Sequence, residues 1–124
     1  MDPRHQRRVA IVQNIFALSF HNPETKIKEH DTYYDVAKKI LTFKDEFFET
    51  IAKHAPKYPV KDLAKIDTSI LLLALFELFK DDNKQPYKVI INEAIEIAKE
   101  LGNEKSPAFI NAVLGAILDE KNLK

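Results

Sequence analysis

The sequence predicts an all-α protein that folds as a compact helical bundle, and three observations support this prediction. Only two glycines occur among the 124 residues, whereas proteins built from sheets use glycine in many of their turns. Apolar residues recur at intervals of three and four along most of the chain, which is the period of an amphipathic helix. A chain of this length normally forms one domain and buries enough surface for a core without disulfides.

Composition narrows the class of function. Lysine plus arginine equals aspartate plus glutamate, at 19 residues each, so a site for a polyanion must be a local patch. The absence of cysteine excludes disulfides and thiolate metal sites. The longest uncharged run, residues 9–20, is too short to span a membrane, and no small-residue cleavage site follows it. We therefore expect a cytoplasmic protein with no membrane segment, no metal ion and no cofactor.

The first predicted helix runs from Pro3 to about Phe20 and begins with a cluster of basic residues. Proline is favoured in the first helical turn, where its missing N–H would have no partner. On a helical wheel Arg4 and Arg8 lie nearer the apolar side, and we expect these first turns to project past the core. Arginine side chains suit phosphate groups, and a merely solvated first turn is the alternative. The outward stripe of this helix contains Gln6, Arg7, Gln13 and Asn14.

Two further patterns fill the middle of the chain. The segment from Asp31 or Thr32, which are plausible N-caps, to about Ala55 predicts one long helix of about 37 Å. Residues 61–80 predict a central helix that is apolar almost all round, because they contain the run ILLLALFELF. Seven consecutive apolar residues in this run also fit a buried strand, but the length of the pattern and the lack of turn glycines favour a helix.

The last third of the chain predicts two more helices. Pro86 opens the first of them, and Gly102 follows it, because glycine is favoured just after a helix C-terminus. Ser106 and Pro107 are expected to be the N-cap and the first residue of the final helix. The core-facing residues of the earlier helix are predicted to be Val89, Ile91, Ala94, Ile95, Ala98 and Leu101, and those of the final helix Ile110, Val113, Leu114, Ile117 and Leu118.

Two residues stand out from the apolar pattern of their helices. Glu77 is the only charge in the run ILLLALFELF, and it either meets water at the edge of the bundle or contacts a protein partner together with Asp81 and Asp82. Phe109 lies on the flank of the final helix, beside Ala112. Its ring either caps the core or stacks on an unpaired base, since every base presents a π face.

The sequence contains no pattern that indicates catalysis. The four histidines are scattered without the spacing of a metal-binding motif. The only glycines, Gly102 and Gly115, stand too far apart to form a phosphate-binding loop. We therefore expect a protein that is not an enzyme.

Three segments in order, ILLLALFELF, PYKVIINEAIEIAKELG and SPAFINAVLGAIL, resemble the transcription antitermination factor NusB family. The N-terminal RHQRRVAIVQNIF resembles the arginine-rich RNA-binding helix of that family, so the match extends from about Arg4 to Leu118. The resemblance implies a single domain, residues 1–124, made of two packed helical subdomains, about 1–59 and about 60–124. It further implies binding to boxA, a single-stranded element of nascent ribosomal RNA, together with a small-subunit ribosomal protein called NusE in this role.

The resemblance also implies roles for individual residues. The arginine-rich motif falls on the three arginines of the first helix, and the RNA-stacking phenylalanine of the family's F-V-N-G motif falls on Phe109. The partner-contacting aromatic residue falls on Phe16, and the glutamate of the L-Y-E-L motif falls on Glu77. The predicted RNA-binding residues are Arg4, Arg7, Arg8, Gln13, Ser106 and Phe109, and the predicted partner-binding residues are Phe16 and Glu77.

The chain departs from the family pattern at several positions. Leu72 replaces the arginine of the usual I-L-R string, Lys105 stands where an acidic residue is common, and Ala112 replaces the F-V-N-G glycine. Phe16 and Phe76 lack the hydroxyl of the usual tyrosines. These departures bear on the affinity for RNA and not on the family.

The predicted function is that of an RNA-binding antitermination factor, which acts in a transcription elongation complex and links RNA to a ribosomal protein. One alternative is an RNA-binding domain related to that of ribosomal RNA cytosine methyltransferases, although the chain ends at Lys124 without a glycine-rich cofactor loop. Another alternative is a structural helical interaction module. A homodimer through Phe16 or Phe20 stays open.

Overall fold

The computed structural model describes residues 2–20, 33–55 and 59–122, and helices make up most of these residues. The helices are α1 (Pro3–Leu18), α2 (Tyr34–Leu41), α3 (Lys44–His54), α4 (Lys65–Phe79), α5 (Tyr87–Leu101) and α6 (Ser106–Glu120), with a 3-10 helix at Val60–Asp62. No strand occurs in the described ranges, and the predicted all-α class is confirmed. None of the helices described is both long enough and apolar enough to cross a bilayer.

Helix α4 lies at the centre of the bundle. Every residue from Asp67 to Glu77 is buried, so this stretch has no outward face. A helix that is apolar all round must be covered on all sides, and α1, α2, α3, α5 and α6 all pack against α4. The prediction of a central helix in residues 61–80 is confirmed, and the strand alternative is wrong. The predicted division into two subdomains near residue 59 stays a prediction.

The predicted long second helix is wrong, because the chain bends at Thr42 and Phe43 and forms two helices. The Thr42 hydroxyl donates a hydrogen bond to the Lys39 carbonyl at 2.6 Å. The amide of Phe43 binds the Ile40 carbonyl at 3.0 Å, three residues back and not four, which tightens the backbone and ends α2. Helix α2 packs mainly against α1, whereas α3 packs against α6. The proposed N-caps at residues 31 and 32 lie outside the described residues.

The aromatic ring at this bend fastens it to the central helix. The Phe43 ring centroid lies 5.7 Å from that of Phe47 and 6.1 Å from that of Phe76 in α4. The Lys80 ammonium lies 5.1 Å from the Phe43 centroid and 3.0 Å from a carboxylate oxygen of Glu46. The bend is therefore held by packing and by cation–π attraction, and not by the local sequence alone.

The core face of α5 differs from the predicted one. Val89 is 40% exposed, so its predicted place in the core is wrong, while Ile90 and Ile97 are fully buried. Residues 89–91 are all apolar, so a helical wheel of α5 rotated by one residue still places apolar side chains on the core-facing side. The buried residues of α5 are Ile90, Ala94, Ile97 and Ala98, and those of α6 include the whole predicted face, Ile110, Val113, Leu114, Ile117 and Leu118.

The connection between α5 and α6 depends on a close approach at Gly102. Its backbone is extended, with φ −93° and ψ −168°, so the glycine is not required for a left-handed conformation. A Cβ atom at this position would lie 2.5 Å from the Ser106 hydroxyl oxygen and 2.8 Å from the Ala98 carbonyl oxygen. Ser106 is the first residue of α6 and not its N-cap, and its hydroxyl accepts a hydrogen bond from the Asn103 amide at 3.0 Å.

Candidate functional site

The start of α1 tolerates its basic residues because an acidic residue caps the helix. Asp2 precedes the helix, and its carboxylate accepts a hydrogen bond from the Arg4 amide at 2.9 Å. An acidic N-cap satisfies a free N–H group and interacts favourably with the helix dipole. This interaction offsets the unfavourable placement of three arginines in the first two turns of the helix.

Arg8 and Glu77 form a buried ion pair between α1 and α4. Each residue is only 6% exposed. The Arg8 Nε atom lies 3.1 Å from both carboxylate oxygens of Glu77, and the Arg8 Nη1 atom lies 3.8 Å from Glu93 in α5. Arg8 therefore joins three helices from the inside of the bundle, and its guanidinium is committed to carboxylates of the same chain.

This pair corrects two predictions at once. Arg8 does not project past the core as expected, so the predicted contact between its side chain and phosphate does not hold. Glu77 is only 6% exposed and its carboxylate is paired with Arg8, so it does not lie at the solvated edge of the bundle as the first alternative expects; its predicted contact with a protein partner stays a prediction. Burial raises the pKa of Glu77, and the Arg8 guanidinium acts in the opposite direction. Each member of the pair depends on the other for compensation in the core.

His5 forms a second set of contacts between α1 and α5. Its Nδ1 atom lies 2.8 Å from a carboxylate oxygen of Glu93, and its Nε2 atom lies 2.7 Å from one of Glu100. A neutral imidazole donates from one nitrogen only, so two carboxylates favour the protonated ring. The hydrogen bonds to Glu93 and Glu100 accordingly raise the pKa of His5 above its usual value.

Sequence reasoning missed this set of contacts. The sequence pattern assigns no role to His5, and Glu93 and Glu100 enter the prediction only as part of the segment PYKVIINEAIEIAKELG. The two glutamates are seven residues apart in α5, so they lie on one face of that helix. Nothing in the sequence indicates that α1 covers this face, because that contact depends on how the helices pack.

Arg4 and Arg7 are the arginines of the motif that remain exposed. The Arg7 guanidinium carbon lies 5.9 Å from the centroid of the Tyr33 ring, at the start of α2. Gln13 is also exposed, as predicted, whereas Asn14 is buried and its side-chain amide donates to the Ala10 carbonyl at 2.8 Å. The outward stripe of α1 therefore consists of basic and amide side chains without Asn14.

The remaining predicted residues differ in accessibility. Ser106 is 1% exposed and engaged with the Asn103 amide, so its hydroxyl is not placed to contact RNA. Phe109 is half-buried and packs against the core with part of its surface open. Phe16 is also half-buried, and its ring meets that of Phe20 edge to face, with centroids 4.9 Å apart. The roles predicted for Phe109 and Phe16 stay predictions.

The departures from the family pattern occupy different environments. Leu72 is buried in α4, where it adds to the apolar core and supplies no charge. Lys105 and Ala112 are exposed on either side of Phe109 in the sequence; Lys105 directly precedes α6 and Ala112 lies in its second turn. A lysine at this point brings a cation to the surface that contains the Phe109 ring.

Comparison with known proteins gives one consistent result. The profile of the NusB family matches residues 4–119 of this chain. A transcription antitermination protein NusB from Nitratiruptor sp. is 36% identical over 135 aligned residues, which cover 97% of this chain and 94% of that protein. The NusB protein of Herpetosiphon aurantiacus is 30% identical, over 94% of this chain and 90% of its own length. A solved structure of T. maritima NusB has a TM-score of 0.77 and 27% identity, covering 96% of this chain and 92% of that one.

We predict that Arg8 and Glu77 act as a structural pair. Arg8→Met should lower the free energy of unfolding by about 3–5 kcal/mol, because it leaves the Glu77 carboxylate buried without its partner. The double variant Arg8→Met/Glu77→Leu should recover most of this loss, since two apolar side chains need no compensation. Urea unfolding of the three proteins measures both effects.

Arg4→Met is the matched control for this prediction. It removes the same charge from the same helix, but at an exposed position, and surface substitutions usually change stability by less than about 0.5 kcal/mol. Equal losses for Arg8→Met and Arg4→Met, or a double variant less stable than Arg8→Met alone, would contradict the structural role.

We also predict that His5 makes stability depend on pH. A pKa raised in the folded state means that the stabilisation is fully present below the unfolded value of about 6.5 and is lost as the pH rises through the folded value. The difference in unfolding free energy between the unsubstituted protein and His5→Gln should therefore be largest at about pH 6 and shrink toward pH 9. In a Glu93→Gln/Glu100→Gln background this pH dependence should disappear; its persistence there would assign it to another group.

Proposed function

Because the chain belongs to the NusB family, as its motifs predict, we propose that it acts as a transcription antitermination factor that binds single-stranded RNA. Its RNA ligand is a boxA-like element of nascent RNA in a transcription elongation complex, and its protein partner is the ribosomal protein NusE. This is a binding function without catalysis, carried out in the cytoplasm.

The observation that carries the proposal is the pair of exposed guanidinium groups on a rigidly held helix. Arg4 and Arg7 are exposed, while Arg8 and His5 fasten the same two turns of α1 to α4 and α5. A fork of N–H donors on an anchored helix loses little conformational freedom when it binds a phosphate. A protein with no net charge can in this way concentrate its phosphate contacts at one place.

Base contacts are proposed for Phe109 and Gln13. The half-buried Phe109 ring is fixed by the core on one side, which leaves the other side for stacking on an unpaired base. His5 in α1 contacts Glu100 near the end of α5, and the short connection from α5 leads to α6, which carries Phe109. Gln13 offers an exposed amide farther along α1.

The partner site is proposed at the opposite end of α1. Phe16 and the 42%-exposed Phe20 form an aromatic pair there, and Phe16 lies about 18 Å from Arg4 at the helical rise per residue. Exposed aromatic side chains are favoured anchors of protein interfaces. RNA and partner would then occupy separate ends of one helix, and a homodimer through the same rings would compete with the partner.

We predict a shallow dependence of RNA affinity on salt. Two phosphate contacts to a single strand correspond to a slope of log affinity against log salt of about −1.4. Arg4→Ala/Arg7→Ala should flatten this slope toward zero, whereas Arg8→Met/Glu77→Leu should leave it unchanged because Arg8 is buried. Fluorescence polarisation with a boxA-like RNA at several salt concentrations measures the slopes. A slope that depends on Arg8 as strongly as on Arg4 and Arg7 would contradict this assignment.

We predict that removing the aromatic ring of Phe109 lowers the affinity for RNA but changes the stability of the fold only slightly. Phe109→Leu keeps an apolar side chain against the core but removes the aromatic ring, so RNA affinity should fall about tenfold or more while stability changes by less than about 1.5 kcal/mol. Phe109→Tyr keeps the ring and should retain most of the affinity. Unchanged RNA binding by Phe109→Leu, measured at one salt concentration, would leave Phe109 as a residue that only covers the core.

A further inference from the structure

A polar pocket of about 290 Å³ lies between the start of α1 and the segment that connects α4 to α5. Arg4 and Arg7 line one side of this pocket. Asp81, Asn83 and Gln85, from the connecting segment, also line it. The buried Arg8–Glu77 pair contributes the remaining polar groups. The pocket is large enough for one nucleobase with its sugar.

The lining of this pocket is not that of a simple phosphate site. The Arg4 and Arg7 side chains attract an anion, whereas the Asp81 carboxylate repels one. The side-chain amides of Asn83 and Gln85 can each donate and accept hydrogen bonds. A ligand that satisfies all of these groups must combine a negative charge with a neutral part that carries hydrogen-bond donors. A nucleotide combines these features, with a phosphate beside a base that has a polar edge.

The position of Asp81 is set by the backbone around it. Its amide donates to the Phe76 carbonyl at 2.9 Å, just beyond the end of α4. One of its carboxylate oxygens accepts a hydrogen bond from the Asn83 amide at 3.0 Å. An ionised carboxylate offers about four acceptor sites in total, so Asp81 retains the capacity to accept from a ligand. A side chain held in this way loses little entropy on binding.

We propose that this pocket holds one nucleotide of the bound RNA and that Asp81 selects guanine there. The proposal rests on the RNA-binding function proposed above. Guanine presents two adjacent donors, N1–H and the N2 amino group, on its Watson–Crick edge, and a carboxylate accepts both. Adenine and cytosine present an acceptor nitrogen beside their amino group, and uracil places a carbonyl on each side of its single N–H, so each would face Asp81 with an acceptor.

The charges of the pocket favour RNA over a basic protein segment. A lysine or arginine of a protein partner would also suit Asp81, but it would have to enter beside the exposed guanidinium groups of Arg4 and Arg7. Positive charges that share one pocket repel each other. In an RNA ligand the same arginines bind the phosphates that flank the base, so every charged group of the pocket has a partner.

The experiment uses single-stranded oligouridylates of about twelve nucleotides that carry one central guanosine, inosine, adenosine or cytidine. Inosine is guanosine without the N2 amino group, so it removes one of the two donors and nothing else. We expect the unsubstituted protein to bind the guanosine probe about tenfold more tightly than the inosine and adenosine probes, which is the discrimination that one good bidentate contact provides. Fluorescence polarisation at low salt gives the four affinities.

Asp81→Asn tests the assignment, because its carbonyl oxygen can still accept from the Asn83 amide while its NH₂ group opposes the donors of guanine. The preference for guanosine should disappear in this variant. Asp82→Asn is the matched control, since it removes a neighbouring exposed charge that does not line the pocket. It should keep the preference.

Each other outcome overturns the inference in a distinguishable way. Equal binding of all four probes by the unsubstituted protein would overturn guanine selection and leave the proposed function intact. No binding of any probe, together with binding of a boxA-like RNA, would overturn the inference alone, whereas failure to bind the boxA-like RNA as well would overturn both. A guanosine preference that survives in Asp81→Asn would show that another group reads the base, and would overturn the assignment to Asp81.

Discussion

The buried charge at the end of α4 is the constraint on which the arrangement of this protein depends. A helix without an outward face must be enclosed by its neighbours, and a carboxylate enclosed with it must be neutralised from a neighbouring helix. Arg8 supplies that compensation to Glu77 through two contacts of 3.1 Å. The position of α1 is therefore set by an ion pair with directional hydrogen bonds, in addition to apolar packing that can tolerate sliding or rotation.

The burial of Arg8 divides the basic residues of α1 into two groups that face in different directions. Arg8 and His5 face inward and connect α1 to carboxylates of α4 and α5, whereas Arg4 and Arg7 face outward. His5 and Arg8 anchor the two turns of α1 that carry the exposed Arg4 and Arg7, so the backbone that presents these two side chains is ordered on folding. The basic cluster thus contains inward-facing residues, 5 and 8, next to the exposed arginines at 4 and 7, on different faces of the same two turns.

Much of the fold could be predicted from the spacing of apolar residues. Two of the wrong predictions, the core face of α5 and one long second helix, share a physical cause. The face of α6 was predicted correctly because its large aliphatic residues fall on one stripe, whereas most of the rest of the helix carries small residues. The face of α5 was not, because three consecutive apolar residues, 89–91, allow two rotations that only contact with α4 and α6 can distinguish. The bend at Thr42 also escaped prediction, since both halves keep a helical pattern; local hydrogen bonds end α2 there, and α2 and α3 then pack mainly against different helices.

The sequence by itself determined the helical class, the central position of α4, the family and the identity of the basic motif, because each depends on residue type and spacing along the chain. Only the tertiary structure decided which arginines are available to a ligand, because accessibility depends on where a second, distant helix places a carboxylate. Residues 8 and 77 are 69 positions apart, and no local pattern connects them. The pocket beside Arg4 and Arg7 has the same origin, since the α4–α5 connection comes next to α1 only when both helices pack in the bundle.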